Sequence, residues 1–177
     1  MSALPSRDRC RQALLPAAVT LASSLAGCGS GGASPSPDAE PSVSIGTGFP
    51  CLAPLGDDQT VPIIMGIQGG FHVWGGFEAR GLQPDGMEID FKLVRDGVEL
   101  ASASYIDDID AAYGPASGCA AAPEGAYQYA GVAVVLHFDV QPESVSGAAA
   151  DLSIHLRDRR GVVVTDSVRV VPECCSM

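Results

Sequence analysis

Basic residues are scarce in this sequence, and their scarcity argues against one class of partner. The 177 residues include 10 Lys and Arg against 21 Asp and Glu, which gives a formal net charge of −11 at pH 7. Nucleic acids and anionic lipid headgroups are negatively charged, so an acidic surface repels both. We therefore expect no nucleic acid partner for this protein.

Recognisable catalytic motifs are missing as well. The sequence contains no G-x-S-x-G elbow, no phosphate-binding loop, no dinucleotide fingerprint and no H-E-x-x-H pair. It also lacks a C-x-x-C pair, so neither a redox motif nor a zinc ribbon is indicated. Catalytic groups can still be assembled from distant positions. We expect a non-catalytic protein, with a hydrolase that has no readable motif as the weaker alternative.

Apolar runs are too short for a transmembrane helix, which needs about 20 residues to cross a hydrocarbon core of about 30 Å. One apolar stretch, residues 13–25, follows a basic start formed by Arg7, Arg9 and Arg11. A short apolar stretch after basic residues is typical of a secretory signal peptide. The sequence therefore predicts export.

The junction after that stretch reads Leu25-Ala26-Gly27-Cys28. It resembles the lipobox of bacterial lipoproteins, and the resemblance implies that the thiol of Cys28 receives diacylglycerol and that cleavage occurs before it. Acyl chains contribute about 0.8 kcal/mol per buried methylene, so a lipid bilayer would hold the protein through this anchor alone. Gly29 stands where some bacteria read an aspartate as a retention mark, which favours the outer membrane in a cell that has one.

Composition divides the chain into three parts. Residues 1–27 are the predicted signal peptide, and residues 28–44 are the lipidated N terminus with a tether rich in Gly, Ser and Pro. Residues 45–177 are long enough for one domain with a hydrophobic core. Removing the signal peptide leaves 7 basic and 20 acidic residues, a net charge of −13.

The domain has the pattern of an all-β protein. Met87 to Leu93 alternates apolar and charged residues, and the Asp96-Gly97 dipeptide after it is typical of a type I′ hairpin turn. Pro62 favours an edge position for the first strand. Seven short strands predict a single immunoglobulin-like β-sandwich. The predicted strands are 60–66, 70–80, 87–95, 98–105, 127–138, 150–158 and 161–171.

Four cysteines follow the lipid attachment site, and exported proteins usually oxidise such thiols. If successive strands alternate direction, Cys51 before the first strand and Cys119 after the fourth lie at the same pole of the sandwich. We therefore predict a Cys51–Cys119 disulfide. Cys174 and Cys175 follow the last strand at the opposite pole, where they either pair with each other or stay free.

Three histidines and one tryptophan are the candidate site residues of the domain. His72, His137 and His155 fall in the phase opposite the apolar residues of their strands, so we expect them to face solvent. Trp74 shares the outward phase, where it would suit a binding surface, unless a bulge at Gly75-Gly76 turns it into the core. The segment Gln68 to Trp74 is similar to a strand entry in uncharacterised exported lipoproteins, a resemblance that implies no activity.

Two sets of side chains are candidate metal ligands, and ordinary solvated side chains are the alternative interpretation of both. Pairing the second strand with the fifth places His72 and His137 close enough to share an ion, with Cys174 or Cys175 as a further ligand. Asp107, Asp108 and Asp110 could collect calcium, or form a solvated acidic loop. We expect no cofactor beyond the diacylglycerol. The first hypothesis is an anchored surface module for a protein or glycan partner, and the alternative is a metal-binding lipoprotein using His72 and His137.

Overall fold

The computed structural model describes residues 39–67, 69–109 and 118–174, and these residues are almost entirely β-strand. The fold is all-β, as predicted, and the alternation of buried and more exposed positions is clearest in the segments Met87–Arg95 and Ala150–Arg157. Among the described residues one short helix, α1 (Pro142–Val145), connects the last-but-two strand to the next. The strands are β1 (Ser42–Thr47), β2 (Ala53–Pro54), β3 (Gln59–Met65), β4 (Phe71–Arg80), β5 (Met87–Arg95), β6 (Val98–Asp107), β7 (Ala126–Leu136), β8 (Ala150–Arg157) and β9 (Val163–Cys174).

Seven of these strands close into a barrel, in the order β4-β3-β9-β8-β5-β6-β7 and back to β4. The predicted sandwich of two separate sheets is therefore wrong, although all seven predicted strands are present. The reason lies partly in one turn. Asp96 and Gly97 both have positive φ, at 52° and 78°, and this two-residue turn pairs β5 with β6 in one sheet. The parallel pairing of β3 with β9 closes the other side.

Two details of the predicted strand layout are corrected. Residues 42–44 belong to β1, which pairs with β4, so the tether ends before residue 44. The strand β3 lies inside the barrel wall between β4 and β9 and is not an edge strand. It pairs with β4 only from Ile63 onward. Pro62, which has no N–H to donate, therefore lies where β3 pairs with β9 alone.

The barrel interior is filled by the inward-facing side chains of all seven strands, as in other small barrels. Burial of these side chains is the main source of stability, since each contributes about 1.5–3 kcal/mol. The largest fully buried side chains are Phe77, Phe91, Met87, Ile89, Leu93, Leu152, Ile154 and Leu156.

The two ends of the barrel differ. The chain enters at the end where Ser42 pairs with Arg80, which also carries the β4–β5 and β8–β9 turns; we call it the entry end. The opposite, distal end carries the β3–β4 turn, the β5–β6 turn and the connection from β7 through α1 to β8. No helix among the described residues has the length and apolar composition needed to cross a membrane.

Candidate functional site

Trp74 faces outward from the barrel wall and is half-buried there. Its neighbour Val73 is in the core, and its register partner on β7 is Ala133. The expected bulge at Gly75-Gly76 exists, as a register shift between these two glycines, but it follows Trp74 in the chain and leaves its phase unchanged. Of the two orientations open from the sequence, the outward one is correct.

Two further rings contact Trp74 on the outside of the barrel. Phe49 stacks on it, with ring centroids 5.3 Å apart and an interplanar angle of 27°. His72 meets it edge-on, at 4.4 Å and 74°. We call Phe49, His72 and Trp74 the outer aromatic cluster. Phe49 remains 67% exposed, so the cluster presents an apolar ring to solvent. The sequence predictions did not include Phe49, which no alternating pattern marks.

The loop that carries Phe49 rests on positions without side chains. A Cβ atom on Gly131 would lie 2.5 Å from Cδ2 of Phe49, and Gly131 has a φ of +85° that favours glycine. Cβ atoms on Gly46 or Gly76 would lie 2.6 Å from Cδ1 of Leu52. The glycines on β1, β4 and β7 therefore allow residues 48–52 to pack flat against the barrel.

A disulfide fastens the same loop. Cys51 and Cys119 are bonded, with Cα atoms 5.3 Å apart, as predicted from the topology. The hydroxyl of Thr47 also donates a hydrogen bond of 2.6 Å to the carbonyl of Trp74. Cys174 is disulfide-bonded too, so its sulfur is not the thiolate ligand that the metal hypothesis included. Cys175 lies outside the described residues.

His72 is buried, with 9% of its surface exposed, and the prediction that it faces solvent is wrong. The ring does project from the outer face, but Trp74 and the glycine turn between β3 and β4 cover it; a Cβ on Gly66 would lie 3.7 Å from its Nδ1. Its Nε2 has no hydrogen-bond partner in the part of the chain that the structure describes. Burial lowers the pKa of His72 below its usual value, so the imidazole is neutral at pH 7.

The other two histidines, His137 and His155, are partly exposed, as expected, and each lies near a carboxylate. Nε2 of His137 lies 3.2 Å from Glu99, whose second oxygen receives Lys92 at 2.7 Å. The predicted antiparallel pairing of the strands is confirmed, with Val135 opposite His72. The described residues nevertheless contain no group of three or more potential metal ligands. With His72 covered, the His72–His137 site has no structural support.

A cross-strand row on the opposite wall has the residue types of a catalytic triad. Asp90, His155 and Thr165 are register partners on β5, β8 and β9. Nδ1 of His155 lies 3.7 Å from Asp90, which is beyond hydrogen-bond distance, and both side chains are well exposed. This row therefore lacks the oriented base on which nucleophilic catalysis depends.

Asp107 and Asp108 are occupied by protein donors at the entry end. Asp107 accepts hydrogen bonds from the Tyr129 hydroxyl at 2.8 Å and from the Asp108 amide. Asp108 accepts one from the Gly86 amide at 2.6 Å. Asp110 lies outside the described residues. Asp107 and Asp108 therefore hold turns together, which differs from both the calcium site and the solvated acidic loop expected from the sequence.

The burial of His72 predicts a stability loss in mild acid. The unfolded chain binds a proton near the ordinary histidine pKa of about 6.5, whereas the folded chain binds it only at a lower pH. This contribution to stability is therefore fully present above the unfolded pKa and is lost as the pH falls through the folded pKa. The loss approaches about 1.4 kcal/mol per pH unit at most. Denaturant titrations at neutral and mildly acidic pH should show a smaller pH dependence for His72→Gln than for the wild type. The exposed-residue control His155→Gln should behave as wild type; equal slopes for all three proteins would contradict the prediction.

Comparisons with known proteins add little. No family model matches the chain, and no curated protein matches it. Among solved structures, the N-terminal domain of PorA is similar over 72% of this chain and 96% of its own, with 10% identity and a TM-score of 0.25. A likeness at that score carries no argument about fold or function.

Proposed function

We propose that this chain is an exported lipoprotein, held on the cell envelope by diacylglycerol on Cys28, whose barrel is a non-catalytic module that binds a protein or glycan partner. The partner would reach the barrel through its exposed apolar surfaces. In a cell with two membranes, Gly29 favours the outer one. The metal-binding and hydrolase alternatives gain no support from the structure, because His72 is buried and His155 makes no hydrogen bond to Asp90.

The observation that best supports export is the Cys51–Cys119 disulfide. Disulfides persist in oxidising compartments such as the bacterial envelope and are rare in the reducing cytosol. The bond joins residues 68 positions apart and links the Phe49 loop to the segment that leads into β7, as a structural disulfide does. An exported domain with such a bond agrees with a signal peptide that ends in a lipobox.

The tether is long enough to separate the barrel from the bilayer. Fourteen residues lead from Cys28 to Ser42, where β1 begins, and an extended chain covers about 3.3–3.6 Å per residue. This corresponds to a reach of roughly 45–50 Å. A segment of this length would let the acidic barrel keep its distance from anionic headgroups.

The outer aromatic cluster is a candidate contact surface for the partner. It is apolar and is presented by a disulfide-bonded loop, so little conformational entropy is lost when a ligand packs on Phe49. Aromatic side chains are enriched at binding surfaces because they combine a large apolar area with few rotatable bonds. A protein side chain or the apolar face of a sugar would fit such a ring.

Substituting Cys28 by alanine tests the proposal. The wild-type protein is expected to yield a mature chain beginning at residue 28 with added acyl mass, and to fractionate with membranes. Cys28→Ala is expected to lose the acyl mass and to keep its signal peptide or be cut elsewhere. Intact-mass spectrometry and membrane fractionation report both outcomes.

Cys10→Ala is the matched control, because that cysteine lies within the predicted signal peptide and should have no effect on lipidation. An unmodified mature protein that starts at a residue other than Cys28 would refute the anchor. So would membrane association that survives in Cys28→Ala.

A further inference from the structure

Exposed apolar side chains are concentrated at the distal end of the barrel. The described residues contain eight large hydrophobic side chains that are strongly exposed, and five of them lie at this end. Phe138 is 106% exposed and Val135 is 48% exposed. The five are Met65, Ile67, Val98, Val135 and Phe138. Isolated exposed apolar residues are ordinary, but a concentration of them at one end marks an interaction site.

Two of these five side chains, Val135 and Phe138, line a groove of about 420 Å³ at this end. One wall is the β3–β4 turn with Phe71, and the other is the segment from Val135 through Phe138 to Pro142. Its size is in the range of pockets that take an apolar group.

Both walls of the groove are held by backbone hydrogen bonds. The Gly66 amide donates to Gly70 at 2.9 Å, and the Val140 amide donates to His137 at the same distance. The His137 amide donates to the Leu100 carbonyl of β6 at 3.0 Å, which ties the second wall to the barrel. A groove with fixed walls is formed before any ligand arrives, which lowers the entropy cost of binding.

The acidic residues near the groove indicate which class of partner would bind there. Asp139 and Glu143 are exposed and directly follow the lining residues Phe138 and Pro142 in the chain. Neither carboxylate takes part in an ion pair among the described residues. With a net charge of −13 on the mature chain, a second copy would be repelled, and an anionic bilayer likewise. A segment with lysine or arginine beside apolar side chains complements both the groove and its rim.

We propose that the distal groove binds a protein segment in which apolar side chains alternate with basic ones. The apolar side chains fill the groove along Val135 and Phe138, and the basic ones pair with Asp139 and Glu143. This inference deepens the proposed role as a binding module and names the partner as a protein, but it does not depend on lipidation.

The test uses the mature polypeptide with Cys28→Ser, so that no acyl chain contributes to binding. The probe is a short fluorescent peptide of alternating leucine and lysine, with a counterpart that has glutamate in place of lysine, and binding is followed by anisotropy. The basic peptide is expected to bind with an affinity that falls as salt rises, and the acidic one is expected not to bind. Val135→Ser/Phe138→Ser should weaken binding about tenfold or more, and Asp139→Asn/Glu143→Gln should weaken it less and reduce the salt dependence.

Matched controls separate the groove from general stickiness. Ile106→Ser/Val163→Ser removes two apolar side chains that are exposed outside the distal end, and it should leave binding unchanged. Circular dichroism and thermal unfolding of each variant show that the barrel is intact. If a variant fails to fold, NMR shift changes of the Cys28→Ser protein on adding the peptide locate the contact, and changes away from Val135 and Phe138 would overturn the proposal.

Three other results would also overturn it. They are equal binding of the acidic and basic peptides, binding to vesicles of phosphatidylethanolamine and phosphatidylglycerol that requires Phe138, and groove-dependent binding of a soluble glycan in place of the peptide. Each leaves the Cys28 anchor standing, because that is tested on the lipidated protein. Loss of lipidation would in turn leave the peptide result unaffected.

Discussion

Replacing both Cys51 and Cys119 by alanine is expected to lower the free energy of unfolding by about 2–4 kcal/mol, because the bond closes a long loop in the unfolded chain. The two cysteines are 68 positions apart, and they join the Phe49 loop to the segment that leads into β7. Substitution is preferable to reduction, because Cys174 is disulfide-bonded as well and a reductant would break both bonds.

Chemical denaturation of the double variant measures the loss. Without the bond, residues 48–52 are held by the short β1–β2 pairing on either side of them and by packing on the glycines and on Trp74. The loop should therefore loosen and leave the tryptophan more exposed to water. The chain contains one tryptophan, so its fluorescence reports this site directly, and a red shift of emission is expected. A loss below about 0.5 kcal/mol would contradict the role of this bond, since it is no larger than the effect of an ordinary surface substitution.

Substituting Asp158 by alanine is expected to cost about 3 kcal/mol, because backbone amides lose their acceptor in a poorly solvated position. The carboxylate is 3% exposed and accepts hydrogen bonds from the amides of Gln83, Arg160 and Val162, each at 2.9 Å. It also binds the Arg160 guanidinium at 2.7 Å. These contacts join the β4–β5 and β8–β9 turns at the entry end.

The pH dependence of this contribution follows from the pKa of Asp158. Burial raises the pKa, but the hydrogen bonds from Gln83, Arg160 and Val162 outweigh burial and hold the pKa below its usual value. The contribution is therefore present above the unfolded pKa of about 3.9 and is lost as the pH falls below it. Denaturant titrations of Asp158→Ala should show weaker acid destabilisation than the wild type.

Asp158→Asn and Asp139→Ala are the controls for this prediction. Asparagine keeps one acceptor oxygen and the side-chain volume, so its loss should be smaller than that of alanine. Asp139 is exposed, and its removal should change stability by less than about 0.5 kcal/mol. Equal losses for Asp158→Ala and Asp139→Ala would show that the buried carboxylate does not hold the two turns.

Local patterns in the sequence were sufficient for much of the fold. Alternation of apolar and polar residues located seven strands, because a side chain every second residue faces the core whatever its neighbours are. Asp96-Gly97 specified a type I′ turn, because both positions require positive φ. The alternating direction of successive strands was enough to predict that Cys51 and Cys119 lie at the same pole. The short strand β1 was not predicted, because the Gly, Ser and Pro residues around it are typical of a tether.

The candidate surfaces depended on contacts between distant segments. Alternation places His72 on the outer face, but Trp74 and the Gly66 turn cover it. No local sequence pattern shows which residues will cover the face of a sheet. Phe49 meets Trp74 only because glycines on three strands leave room for its loop. The apolar distal end likewise combines residues from three separate connections.

The sequence by itself determined that this is a β-protein with seven core strands and a Cys51–Cys119 bond, and it predicts where export and lipid attachment occur. Only the tertiary structure decided that the sheet closes into a barrel, that His72 is buried and that a groove opens at the distal end. The reason is physical. Strand propensity, turn geometry and signal recognition act over a few neighbouring residues, whereas closure and burial depend on which distant strands pair and what packs across them.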